Sequence, residues 1–131
     1  MKTKEYEIIF TQEDVLQFIQ LIGDQNSIYL SAEGAKDYGF ETIPLPPTMP
    51  MMAYKWFETP WELQQPSIHR KQKCTLHQIM YINEIYRAVV EVTNSFQRQK
   101  LTFIKQTLYL YNNDGQLCFE GVSDLILGGL R

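Results

Sequence analysis

Asp24 and Tyr29 are the two side chains whose types and spacing suggest joint chemistry. They lie in the stretch Leu21-Ile22-Gly23-Asp24-Gln25-Asn26-Ser27-Ile28-Tyr29-Leu30, a polar loop between two helical segments. A carboxylate there can orient a water or share a proton. A phenol, with an ordinary pKa of about 10, is a proton donor at neutral pH and a poor base. Loops held by a rigid scaffold are where reacting groups tend to sit. The residues alone also admit a plainer reading, in which Asp24 is a loop carboxylate bonded to nearby amides and Tyr29 is a half-buried aromatic with a wet hydroxyl.

The chain's histidines are His69 and His77. Eight residues apart in a strand, they are expected on one face but far from each other. Neither has a second close ligand, so no metal site is expected. Arg70-Lys71-Gln72-Lys73 is a small basic run. It reads as a charged strand edge that discourages aggregation, or as a basic surface for an anionic partner. Cys74 and Cys118 stand apart in strand-like runs and are expected as buried thiols rather than a disulfide.

The elements that must position these groups follow from periodicity. Tyr6, Ile8 and Phe10 alternate, which predicts a strand. Thr11 with Asp14 three residues on predicts a capped helix start. Val15, Phe18, Ile19 and Ile22 form one apolar stripe, and Gly23 ends that helix. Ser31 caps a second short helix, which Gly39 closes. Ile43-Pro44-Leu45-Pro46-Pro47 must be extended. Thr48 is then expected to cap a third helix with Pro50 in its first turn. From Met49 to Phe57 nearly every residue is apolar, which predicts a buried helix stopped by Thr59-Pro60, with a loop over residues 61–66. The remainder reads as a meander of strands over residues 68–82, 86–97, 101–111 and 116–127, with a hairpin at Asn112-Asn113-Asp114-Gly115. Helices segregated from an antiparallel sheet mean α+β. The sheet buries the apolar helix by wrapping it, or, alternatively, carries the helices on an open cystatin-like cone.

Composition sets outer bounds. The 131 residues suit a single domain over residues 1–131 with one core. With 44% hydrophobic and 21% charged residues, the chain reads as an ordinary globular protein. A net charge of -3 argues against nucleic acid as the main partner. No membrane-spanning run or signal peptide is evident, so a cytoplasmic location is the default expectation.

Gly23, Asp24, Asn26 and Ile28 fit the Gly-Asp-x-Asn-Pro-x-His loop of the MaoC-like enoyl-thioester hydratases. Ser27 stands at the proline and Tyr29 at the histidine. Pro46-Pro47-Thr48-Met49-Pro50 resembles the Pro-Pro-Thr-Phe start of the central helix in N-terminal or non-catalytic units of that family. Residues 113–121 resemble its last hairpin. The resemblance covers nearly the whole chain and implies a hotdog fold, an antiparallel sheet wrapped around a central helix at about Met49 to Phe57. It implies reversible hydration of enoyl thioesters of coenzyme A or acyl carrier protein, in fatty acid metabolism, with no cofactor. Asp24, Asn26 and Tyr29 would occupy catalytic positions. Amides around Thr48 and Met49, or the Thr48 hydroxyl, would face the thioester oxygen. His69 is a further candidate, because some members have a histidine just before this strand. Family assemblies imply a homodimer, or a heterodimer with a histidine-bearing hotdog subunit. The other functions implied are a non-catalytic acyl-thioester-binding subunit and a hotdog thioesterase, for which Glu58 is the nearest carboxylate to the helix.

Overall fold

In the computed structural model, residues 2–56 and 67–128 are described. The alternating segment forms strand β1 (Tyr6–Ile9), and Ile8 and Phe10 are buried. Thr11 caps helix α1 (Gln12–Ile22). Its hydroxyl accepts from the Asp14 amide, and the Asp14 carboxylate accepts from the Thr11 amide. Val15 and Ile19 carry the apolar stripe into the core, with Phe18 packed against it. Ile22, expected in that stripe, is 54% exposed; it sits in the last turn, just before Gly23 takes a left-handed conformation and ends the helix. Ser31 caps α2 (Ala32–Lys36), accepting from the Gly34 amide.

The third helix is shorter and tighter than its composition suggests. It is a 3₁₀ helix over Met49–Lys55, and Phe57, like the expected stop at Thr59-Pro60 and the loop at 61–66, lies outside the described residues. Pro50 removes one amide donor, and the neighbouring bonds run over three residues, from Met49 N to Pro46 O and from Met51 N to Thr48 O. Thr48 does not cap it by its side chain. An N-cap needs extended backbone, whereas Thr48 already has φ -96° and ψ -10°. Met49, Pro50 and Ala53 are buried, while Lys55 and Trp56 are exposed. The helix therefore lies one side down on the sheet and is not apolar-buried all round.

Four longer strands follow: β2 (Ser67–Leu76), β3 (Ile85–Arg98), β4 (Leu101–Tyr111) and β5 (Leu117–Leu127). The expected strand over 68–82 stops at Leu76. Beyond it, Met80 and Ile82 reach the core from a turn tied to the proline-rich segment, with Leu45 N donating to Met80 O and Ile82 N to Ile43 O. The order is β1-β3-β4-β5-β2, antiparallel throughout. β3, β4 and β5 form the expected meander. β2 does not join it beside β3 but crosses to the far edge and pairs with β5.

The inner face carries Tyr86, Ala88, Val90, Leu108, Leu110 and Phe119, which pack with Met49 and Ala53 in one cluster. A Cβ on Gly121 of β5 would collide with Met51 Sδ, so the Met51 side chain of the helix lies directly against the backbone of the strand there. The Tyr54 hydroxyl donates to Gly121 O at 3.0 Å, fixing the helix over the same spot. This is a hotdog arrangement, an α+β sheet around a central helix.

Burial raises the phenol pKa of both Tyr54 and Tyr86 well above the ordinary value. A folded-state pKa raised above the unfolded one contributes stability that is complete below about pH 10 and is lost as pH rises toward the folded value. The melting temperature is expected to hold to about pH 9 and fall above about pH 10, with the ionisation of these two phenols appearing together with unfolding. A melting temperature flat into strong alkali would show that these phenols are not buried.

Candidate active site

The Gly23–Tyr29 loop is organised by its own polar atoms. Asp24 N donates to Ile19 O at 2.9 Å, completing the helix end. Asp24 Oδ1 then accepts from Asn26 N at 2.9 Å, and Asn26 Oδ1 accepts from Ile28 N at 3.2 Å. Each short side chain thus mimics a backbone turn. The second caps a 3₁₀ turn over Ser27–Tyr29 within the expected loop. Asp24 is half-buried, with one oxygen committed to the loop.

Tyr29 is more enclosed than expected, 7% exposed and part of the main core cluster. Its phenol pKa is raised, first by burial and then by the Asp24 charge. The pair is therefore a carboxylate beside a phenol that holds its proton. The phenol can donate a hydrogen bond and accept one, but it does not take up a proton near neutrality.

Gly34 of α2 holds this turn in place. A Cβ there would come within 2.6 Å of Ser27 O, a backbone atom with no rotamer to yield. Gly34→Ala is expected to cost about 1–3 kcal/mol and to shift the Asp24–Tyr29 loop. Thermal unfolding and the near-UV signal of Tyr29 would both change; an unaltered melting temperature would mean that the helix slides freely.

The other expected residues are dispersed. Thr48 is exposed with its hydroxyl out of the cap, and the buried Met49 spends its amide on Pro46 O at 3.0 Å. His69 and His77 do not share a face. A bulge between His69 and Lys71 shifts the register by one, so His69 pairs with the inward residue Leu125, whereas Lys71 pairs with Asp124. His77 lies beyond the end of β2 and its ring is 3.0 Å from Glu120 on the outer face. Cys74 and Cys118 are free thiols, half-buried and buried. Among the described residues, no His, Cys, Asp or Glu cluster could hold a metal, and no helix is long and apolar enough to cross a membrane. Sequence reasoning missed Tyr54, whose hydroxyl anchors the central helix. Its signal was a single polar atom in an apolar run.

Solved structures share this fold. The chain matches the C-terminally truncated HadBC (3R-hydroxyacyl-ACP dehydratase) complex of Mycobacterium tuberculosis with a TM-score of 0.82 and 17% identity, covering 96% of this chain and 94% of that one. It matches the (R)-hydratase from A. caviae involved in PHA biosynthesis with a TM-score of 0.79 and 19% identity, over 97% and 94%. The MaoC-like dehydratase from Rhodospirillum rubrum gives 0.77 and 9%, over 97% and 90%. No curated protein sequence matches it. The sequence profile of the FAS1-like dehydratase domain region matches residues 1–120. The chain therefore belongs to the FAS1-like dehydratase domain region family.

Proposed function

We propose that this protein binds acyl thioesters of coenzyme A or acyl carrier protein and is a weak hydratase or dehydratase when alone. The observation that carries this reading is the Asp24–Tyr29 pair. The family loop is intact at Gly23, Asp24 and Asn26, but a buried phenol with a raised pKa stands where the base belongs. Asp24 orients the water and Asn26 holds the loop turn. With the Met49 and Met51 amides bonded to the Pro46 and Thr48 carbonyls and none on Pro50, the exposed Thr48 hydroxyl receives the thioester oxygen. Without a base that titrates near neutrality, the proton step is slow.

The same observation favours a second reading, a non-catalytic subunit that lends its acyl site to a hotdog partner carrying the Asp–His pair. The HadBC neighbour is described as a 3R-hydroxyacyl-ACP dehydratase complex. β1 and β2 are the outermost strands in the sheet order, where such joining would take place. Steady-state turnover of crotonyl coenzyme A, alone and with a histidine-bearing hotdog subunit, tests both. Little turnover alone and a large gain in the mixture supports the subunit. Robust turnover alone that survives Asp24→Asn overturns both readings of the pair and makes His69 the next residue to test.

A further inference from the structure

The outer face of the sheet changes character at the end where β3 turns into β4. Phe96 of β3 pairs with Phe103 of β4, Phe103 with Ile126 of β5, and Ile126 with Ile68 of β2. These four form one row in register across four strands. The row faces outward: along β4 and β5 it alternates with Ile104 and Leu125, whose side chains are buried on the inner face. Phe96 is 50% and Ile68 43% exposed, and the two phenyl rings stack at 4.9 Å with 3° between their planes.

Cations surround this row. Lys71 and Lys105 stand in the adjacent row with Asn94 and Asp124, Arg70 occupies the β2 bulge, and Arg98 and Lys100 sit at the β3–β4 turn. All five are exposed. Asp124 is the one carboxylate among the described residues of this end, and it lies 3.9 Å from Lys105. A chain with net charge -3 thus concentrates positive charge around an exposed apolar row. Between the two rows is a cavity of about 140 Å³, lined by Arg70, Asn94, Phe96, Phe103, Lys105 and Asp124 among others.

We propose that this face docks an acidic carrier protein that delivers the acyl group, with a helix laid across the four strands. The proposal rests on the acyl-thioester reading above. Four strands span about 14 Å, the length of about nine helical residues at a rise of about 1.5 Å each. An apolar side chain of that helix fills the cavity and its carboxylates meet the cationic rim, the arrangement of a packed anchor inside a polar ring. Long-range attraction between the basic end and an acidic protein also speeds encounter. Free coenzyme A offers the same phosphate chemistry but has nothing to cover an apolar row four strands wide.

Binding of acyl carrier protein, with and without a crotonyl group, and of free crotonyl coenzyme A is measured on the intact protein and on Phe96→Ser and Lys71→Glu/Lys105→Glu variants. These positions are exposed, so unchanged circular dichroism and melting temperature certify the variants. Both are expected to weaken carrier binding by about tenfold or more, with the wild-type affinity falling as salt rises, and to leave free crotonyl coenzyme A binding unchanged. Carrier affinity equal in wild type and both variants overturns the proposal. So does loss in the variants of self-association, or of binding to phosphatidylglycerol vesicles, with carrier affinity intact. Wild type that binds crotonyl coenzyme A but no carrier protein sinks the docking face alone. Carrier binding with no affinity for crotonyl coenzyme A sinks the acyl-thioester reading and leaves the docking face standing.

Discussion

Tyr29→His is expected to raise the rate at which the protein hydrates crotonyl coenzyme A, by a factor on the order of a hundred or more. The wild-type phenol is held protonated by burial and by the neighbouring Asp24 charge, so it takes up no proton from water at neutral pH. An imidazole at the same place titrates near neutrality and does. Asp24→Asn should remove whatever turnover remains. It is a clean change, because an asparagine oxygen can still accept the Asn26 amide that Asp24 Oδ1 accepts now; the loop keeps its turn and loses only the charge. The double variant should behave like Asp24→Asn alone, since the pair acts as a unit. Tyr29 belongs to the main core cluster, so a smaller ring there also costs stability, and turnover is compared well below the melting temperature of each variant. A Tyr29→His protein no faster than wild type, alone and with a hotdog partner, would show that the missing base is not what limits this site.

The sequence made some elements legible because their determinants are local. Thr11 with Asp14, Gly23, Ser31 and Asn112-Asn113-Asp114-Gly115 each act within a few residues of themselves, and each ends or begins an element where expected. What stayed hidden depends on partners distant in the chain. The placement of β2 beside β5 rather than β3 is set by tertiary packing, and Met80 and Ile82 look strand-like only because they must be apolar to reach the core. The bulge beside His69 moves one histidine to the opposite face from the other, and alternation counted along a sequence has no means of registering an extra residue. At the candidate site, the residue types gave Asp24, Asn26 and Tyr29, but not how deeply Tyr29 is enclosed. Burial, not identity, makes its phenol still less able to act as a base.

Phe119→Ala and Phe96→Ala should separate the two faces of the sheet. Phe119 lies on β5 with no exposed surface, in the cluster that joins the central helix to the sheet. Removing its ring leaves a cavity beneath the place where Met51 and Gly121 already meet backbone to side chain. A cost of about 3–5 kcal/mol is expected, a large share of the roughly 5–15 kcal/mol that holds a domain folded. Phe96 is half exposed on the outer face and stacks on Phe103, so its loss should cost about 0.5–1.5 kcal/mol, mainly the ring pair. Urea unfolding of the two variants measures the difference. Equal losses would mean that the outer row is covered in solution by something that unfolding also removes, and the dependence of the Phe96→Ala midpoint on protein concentration would then tell whether that cover is a second copy of the chain. A small loss at Phe119 would contradict the burial of its ring in the cluster that joins the central helix to the sheet.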